Sequence, residues 1–407
     1  MKSALAVVLT SALTYAQTTW YVDGNAVPPG AGTQASPYTS IQYAHDHVAT
    51  QELDVILVAP GIYPEALAVG RQLTIRSTHG PLVTSIQPTA AGPSVELDGV
   101  IGENLQTVVE GFTIHRAGVG PHPTVRSTSG TLSRCIVIGD GTGVGALIEW
   151  DLRLQNSLVT RHATGVLGGS VEYLLGRNNI IYGNATYDLD VPGGSQKSTY
   201  SCFGTSRFNI ALYTLVVGDP TFWDAASEDF ELKPGSPCID SGSPSSPLDP
   251  DGSRADMGPY PFDPSYAPAP TAYCTAQTNS LGCVPQIGAN GAASASGAPF
   301  QITCTQQLNQ KLGLLSYGFA PNAVPYQGGY SCVAAPLRRT GVLPSGGNVG
   351  ASDCSGSFAY DFGALIQSGT DPALVAGEIV YVQFWARDPN ASFGVNRSDA
   401  LRAGIAP

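Results

Sequence analysis

The chain has 407 residues, only 12% of them charged, and 19 Lys and Arg stand against 31 Asp and Glu for a net charge of −12. So sparse a charge is about half the usual share in soluble proteins, and 48 glycines with 31 prolines favour short strands and tight turns over long helices. Phosphate binding needs a basic footprint, so no nucleic-acid partner is expected; a polyanion would be repelled at long range unless a cation or a local basic patch intervened.

In chain order, MKSALAVVLTSALTYAQTT opens with Lys2, an apolar run from Ala4 to Ala16, and small residues at Thr14 and Ala16. This is the pattern of a secretory signal peptide over residues 1–16. No later apolar run approaches the roughly 20 residues of a membrane span, so the expectation is a soluble, monomeric protein that is secreted or at the cell surface. YTSIQYAHDHVATQEL (38–53) places Ile41, Ala44 and Val48 on one helical face, which suits an N-terminal helical cap. DVILVAPGIYPE (54–65) follows as a strand and turn, and QLTIRS (72–77), TSIQP (84–88) and SVELDG (94–99) as three strands of one coil.

Four segments then align: EGFTIHRAG, RCIVIGDGTG, NSLVTRHATG and NNIIYGNATY. Their first apolar residues, Phe112, Ile136, Leu158 and Ile180, are 24, 22 and 22 apart, and a second series, Val125, Ile148 and Val171, steps by 23. A period of about 20 to 25 with strands in every repeat means a solenoid. The LxxLxLxxN phrase of leucine-rich repeats is missing, so the expected fold class is all-β, a right-handed parallel β-helix of about 22–24 residues per coil. Equivalent strands then stack about 4.8 Å apart. Asn156 and Asn178 share a column and are expected to form a short amide ladder.

WYVDGNAVPPGAGTQASPYTSIQYAHDH with DVILVAPGIYPE, and the closing SPCIDSG with DPDGSRADMGPYPF, resemble secreted bacterial right-handed β-helix proteins of the pectin-lyase-like superfamily. The resemblance covers roughly residues 19–262. It implies the fold, and it leaves activity open among lyases, glycosidases, epimerases and adhesins. Residues 17–262 are therefore expected to form the β-helix, and DPSYAPAPTAY (263–273) a linker. Residues 274–407 alternate apolar and polar in PFQITC, KLGLLSY, SFAYDF and EIVYVQFWAR, which reads as a smaller β-sandwich. YCTAQTNSLGC with WARDP is similar to a C-terminal module attached to exported bacterial proteins.

Cys135, Cys202 and Cys238 precede a group of five, Cys274, Cys283, Cys304, Cys332 and Cys354. Export permits disulfides, and no CxxC spacing supports zinc. One of the five must stay a thiol or bridge to the earlier region.

If Phe112, Ile136, Leu158 and Ile180 point inward, strand alternation turns Val137, Val159 and Ile181 outward, and no carboxylate lies on that face. The resemblance makes this informative, because calcium-dependent lyases of the superfamily hold their cation with acidic side chains on an external sheet. His115, Arg116, Asp140, Arg161 and His162 would form a basic and polar patch for sugar hydroxyls or a uronate; ordinary turn capping and a solvated face are the plainer account. Arg126, Glu149 and Glu172 would stack outside the second series. Two carboxylates about 5 Å apart match a retaining glycosidase pair, and an ion ladder is the plainer account. Asp249, Asp251 and Asp256 in LDPDGSRADMG offer a calcium-like start without the remaining ligands of an EF-hand, so Ca2+ is the one cofactor contemplated. NAT at Asn184 matches a glycosylation acceptor, although its place in a repeated column favours packing. These features point first to an exported carbohydrate-binding or surface-interaction protein without catalysis, with an extracellular polysaccharide as its expected partner, and second to a polysaccharide lyase or glycosidase.

Overall fold

The structure, a computed structural model, describes residues 17–47, 49–99, 107–118, 120–169, 173–192, 199–208, 215–297 and 299–407. The signal peptide expected at 1–16 lies outside the described residues, as do Val48, Val171 and Glu172. No helix among the described residues is long and apolar enough to cross a membrane.

Residues 19–217 wind into a parallel β-helix with three walls. The first runs Thr19–Val22, Val55–Val58, Thr74–Ser77, Val108–Glu110, Thr131–Ser133, Asp151–Gln155, Tyr173–Arg177, and the other two hold six and eight strands, all parallel. Thr74–Ser77, Thr84–Ile86 and Val95–Asp98 fall one on each wall, as the three strands of one coil should.

The segment NNIIYGN shows how one coil edge is made. Asn178 takes a left-handed backbone (φ 56°), as do Arg134, Asn156 and Tyr200 in the same column. Asparagine tolerates that region better than most residues. Asn179 turns inward and is wholly buried. Its Oδ1 accepts the Ser157 N–H at 3.1 Å, and its Nδ2 donates to the Leu154 carbonyl at 2.8 Å. The Ser157 hydroxyl accepts the Cys135 N–H below, and the Ser201 hydroxyl accepts the Asn179 N–H above. The polar ladder thus runs through Ser157, Asn179 and Ser201, one residue beyond the expected Asn156–Asn178 column. Asn184 closes the segment. It accepts the His162 N–H and donates to Asp188 at 2.8 Å. Being only 9% exposed, it is a packing residue.

The register of the third wall pairs Ile136 with Leu158 and Leu158 with Ile180, but Ile136 faces Thr113. Phe112 is therefore one place out of the expected file. The inward direction is also reversed. Ile114, Val137, Val159, Ile181 and Phe203 join the core, whereas Ile136, Leu158 and Ile180 do not. Each inward valine or isoleucine contributes roughly 1.5–3 kcal/mol by burial. Ile136, Leu158 and Ile180 point away from the core yet stay at most 3% exposed, and at Ile180 the covering element is residues 237–261. Gly258 N–H donates to the Asn178 carbonyl at 2.8 Å. The Asn178 side chain holds Ser243 and Ser246 of this strap. A Cβ at Gly258 would come within 2.9 Å of Ile180.

The N-terminal helix is shorter than the 38–53 pattern suggests, Ile41–Asp46. Ser40 caps it, and Glu65 from the β-helix accepts the Ile41 N–H at 2.7 Å. Ile41 and Ala44 seal the core.

Two compact units divide at 220/221, 236/237 and 261/262. Residues 221–236 go with the C-terminal unit, so the expected unbroken 17–262 span is corrected. Their hairpin, Phe222–Asp224 with Asp229–Leu232, is tied there by Arg402–Asp224 at 2.8 Å and by the Tyr266 hydroxyl on Asp229 at 3.0 Å. The expected linker is partly strand, since Thr271–Tyr273 pairs with Val395–Gly404.

The C-terminal unit is an antiparallel sandwich. A six-stranded sheet centred on Leu312–Gly318, Ile379–Arg387 and Val395–Gly404 packs Leu315, Val382 and Phe384 against Ile302 and Phe358 of a three-stranded sheet. Disulfides join Cys274 to Cys332 and Cys283 to Cys354. Cys304 is the fifth cysteine that stays a thiol, as do buried Cys135, Cys202 and Cys238.

Candidate functional site

The expected Arg126–Glu149–Glu172 column does not exist as drawn. Arg126 is in register with Leu147, and with Glu96 on its other side; Ser127 is the residue level with Ile148. The two-residue offset arises because Val125 aligns with Ala146. Arg126 nevertheless reaches Glu149 at 3.4 Å, along with Glu96 at 3.1 Å and Asp98 at 3.6 Å. Burial works against the guanidinium's charge, but Glu96, Glu149 and Asp98 outweigh it and raise its pKa. This is an ion hub on a coil wall. Glu149 is thereby engaged by a cation it shares with Glu96 and Asp98, and no second carboxylate is placed opposite it across an open groove among the described residues. Glu172 lies outside the described residues.

The expected basic patch separates into a structural corner and two surface positions. Arg116 is nearly buried: its Nη1 donates to Thr142 at 2.8 Å and lies 3.4 Å from Asp140, and its Nη2 donates to the Gly120 carbonyl. Asp140 also accepts from the Thr142 hydroxyl and N–H, hydrogen bonds that hold its pKa down before Arg116 adds to the effect. Gly143 takes a left-handed backbone (φ 65°), and a Cβ there would also displace the Arg116 guanidinium, 2.6 Å away, so glycine suits this position. His162 belongs to the interior: it is wholly buried, with Nε2 2.9 Å from the Thr124 hydroxyl. Arg161 at φ 58° turns the chain and swings the next residue in. Burial, then the charge of Arg116, lowers the His162 pKa to about 4. His115 and Arg161 are half-buried.

Of the three aspartates of 248–258, Asp249 and Asp256 stay together and Asp251 separates. Asp251 faces solvent and caps its own turn through Ser253. Asp249 accepts the Asp256 N–H at 2.8 Å, and Asp256 accepts the Asp240 N–H at 2.6 Å. Burial, then the neighbouring Asp256 charge, pushes Asp249 up to about 6. Among the described residues, no three His, Cys, Asp or Glu side chains converge as metal ligands.

A groove that the sequence reading missed lies on the outer face of the six-stranded sheet. Alternation sends Val382, Phe384 and Ala386 into the core and leaves Gln383 and Trp385 outside. Leu314 pairs with Trp385, Ser316 with Gln383, and Arg397 with Trp385, so these side chains share one surface. The hairpin Pro321–Tyr326 with Gly329–Val333 folds over it. Gln383 fastens that hairpin, donating to the Tyr330 carbonyl at 3.1 Å and accepting the Cys332 N–H at 3.1 Å. The Cys274–Cys332 disulfide fastens it again. Arg397 stacks on Tyr326 at 4.8 Å and donates to Gln327 at 2.8 Å. The groove is open to one side and holds about 450 Å³, within the ~300–1,000 Å³ usual for small-molecule sites. The alternation of EIVYVQFWAR carries part of this signal; nothing in it says which parity faces out.

No protein-family model matches the chain, and no curated protein matches it. Among solved structures it is similar to pectate lyase Pel9A, at 14% identity and a TM-score of 0.30, over 61% of this chain and 97% of that one. It is also similar to pectin methylesterase PemA from Erwinia chrysanthemi, at 10% identity and 0.21, over 48% and 56%. A pectin methylesterase in complex with a hexasaccharide matches at 13% and 0.21, over 47% and 56%. Likeness at this level bears on neither substrate nor mechanism, and the fold assignment rests on the parallel ladders themselves.

Proposed function

We propose that this is an exported protein that binds extracellular polysaccharide without cleaving it, with the β-helix as scaffold and the C-terminal sandwich as the binding part. The observation that carries the reading is the groove: a partly buried Trp385 on its floor, flanked by Tyr326, Arg339 and Arg397. An aromatic face with a few convergent polar groups is the usual composition of a small-ligand site. Glu149, the described member of the expected catalytic pair, is meanwhile committed to Arg126.

The test is a panel of plant and algal polysaccharides presented to the purified full chain. Retention in affinity electrophoresis is measured beside release of reducing ends and of unsaturated uronates. Retention without product is expected. Product that disappears in Glu149→Gln would instead establish a lyase or glycosidase.

A further inference from the structure

We propose that the groove of the C-terminal sandwich selects an anionic sugar residue, its carboxylate or sulfate directed at Arg339 and Arg397 and its ring laid on Trp385. This deepens the binding reading above and rests on it.

The charge pattern argues for an acidic ligand. The chain carries a net charge of −12, yet the residues lining this groove include two arginines and no carboxylate. Neighbouring arginines in the same unit behave otherwise. Arg338 pairs with Asp371 at 2.6 Å, and Arg402 with Asp224 at 2.8 Å. Arg338 and Arg339 are adjacent on one strand, so alternation sends the first to an internal partner and the second to the groove. Among the described residues, no carboxylate pairs with Arg339 or Arg397.

Arg397 is the stronger indication, because it is 8% exposed. Its guanidinium has five N–H donors, and the acceptors it meets are the Tyr326 carbonyl at 3.4 Å and Gln327 Oε1 at 2.8 Å. A buried charge is costly unless it is paired. Burial pulls its pKa below the ordinary arginine value, although an arginine stays protonated in proteins. A ligand carboxylate or sulfate would supply the missing counter-charge through paired N–H donors, an arrangement that Arg favours over Lys. Trp385 and Tyr326 supply the apolar faces that a free inorganic anion would not use.

The experiment titrates the full chain, followed by tryptophan fluorescence and calorimetry, with three oligosaccharides of equal length: an oligogalacturonate, a sulfated galactan fragment and a neutral galactan fragment. At least one acidic oligomer should bind at least tenfold more tightly than the neutral one, and should weaken as salt rises. Arg339→Gln changes an exposed side chain and should erase most of that preference. Trp385→Ala should weaken the acidic oligomer tenfold or more. Arg397→Lys keeps the charge and loses the fork, and a partial loss is expected; circular dichroism checks that each variant is folded. Equal affinity for the neutral oligomer, or acidic binding untouched by both Arg339→Gln and Trp385→Ala, overturns this inference while leaving polysaccharide binding intact. Absence of binding to every saccharide overturns both readings.

Discussion

Asn179 is the most exacting test of the coil geometry. Replacing it with alanine removes the acceptor for the Ser157 N–H and the donor for the Leu154 carbonyl. Water cannot substitute, because Asn179 and Ser157 are both 0% exposed. Leaving a buried backbone group unsatisfied costs about 1–3 kcal/mol, so two such groups together destabilise this coil by roughly 3–5 kcal/mol. With 1.4 kcal/mol per tenfold, amide protection across residues 154–180 should fall by about two to three and a half orders of magnitude. Hydrogen exchange read by mass spectrometry on peptides from this stretch localises the loss, which a global melt of a two-unit chain would blur. The control is Asn178→Gly, which keeps the left-handed turn and removes only the side chain that holds Ser243 and Ser246. It should expose the 237–261 strap and leave 154–180 protected. Asn179→Ala with protection unchanged within about threefold would refute the inward ladder.

Three further outcomes follow from the same structure. His162 is held neutral to about pH 4 against 6.5 for the free side chain. Its contribution is therefore fully present above pH 6.5 and is lost as pH falls towards 4, about 3 kcal/mol in all. Urea midpoints across that range should fall more steeply in the wild type than in His162→Gln, whereas parallel curves would show that the imidazole charges freely. The Cys274–Cys332 bond closes a separation of 58 residues, so Cys274→Ser with Cys332→Ser should cost about 4 kcal/mol on the chain-entropy account and loosen the hairpin over the groove. Cys135 and Cys304, both pushed up to about 12 by burial, should resist thiol reagents in the native protein. All four thiols should react once it is unfolded without reductant; a count of two would mean that Cys202 and Cys238, whose thiols are hydrogen-bonded, are oxidised.

The repeat was legible without coordinates, because each coil must place a turn former, a short apolar strand and another turn at the same interval or the stack fails. That requirement shows in Asn156 and Asn178, in Leu158 and Ile180, and in the parallel register that pairs them. The direction each strand residue faces was not legible. Ile136, Val137 and Ile138 are all apolar, since the core takes one parity and the other is buried as well. With both faces dry, the period-two signal vanishes, and only tertiary packing distinguishes in from out. The same holds for the candidate sites. Arg126 stands level with Leu147 and Glu96, and coil register set its ion partners; His162 entered the interior through one left-handed residue. The groove needed three strands and a hairpin distant in sequence to meet, and no local pattern encodes that meeting.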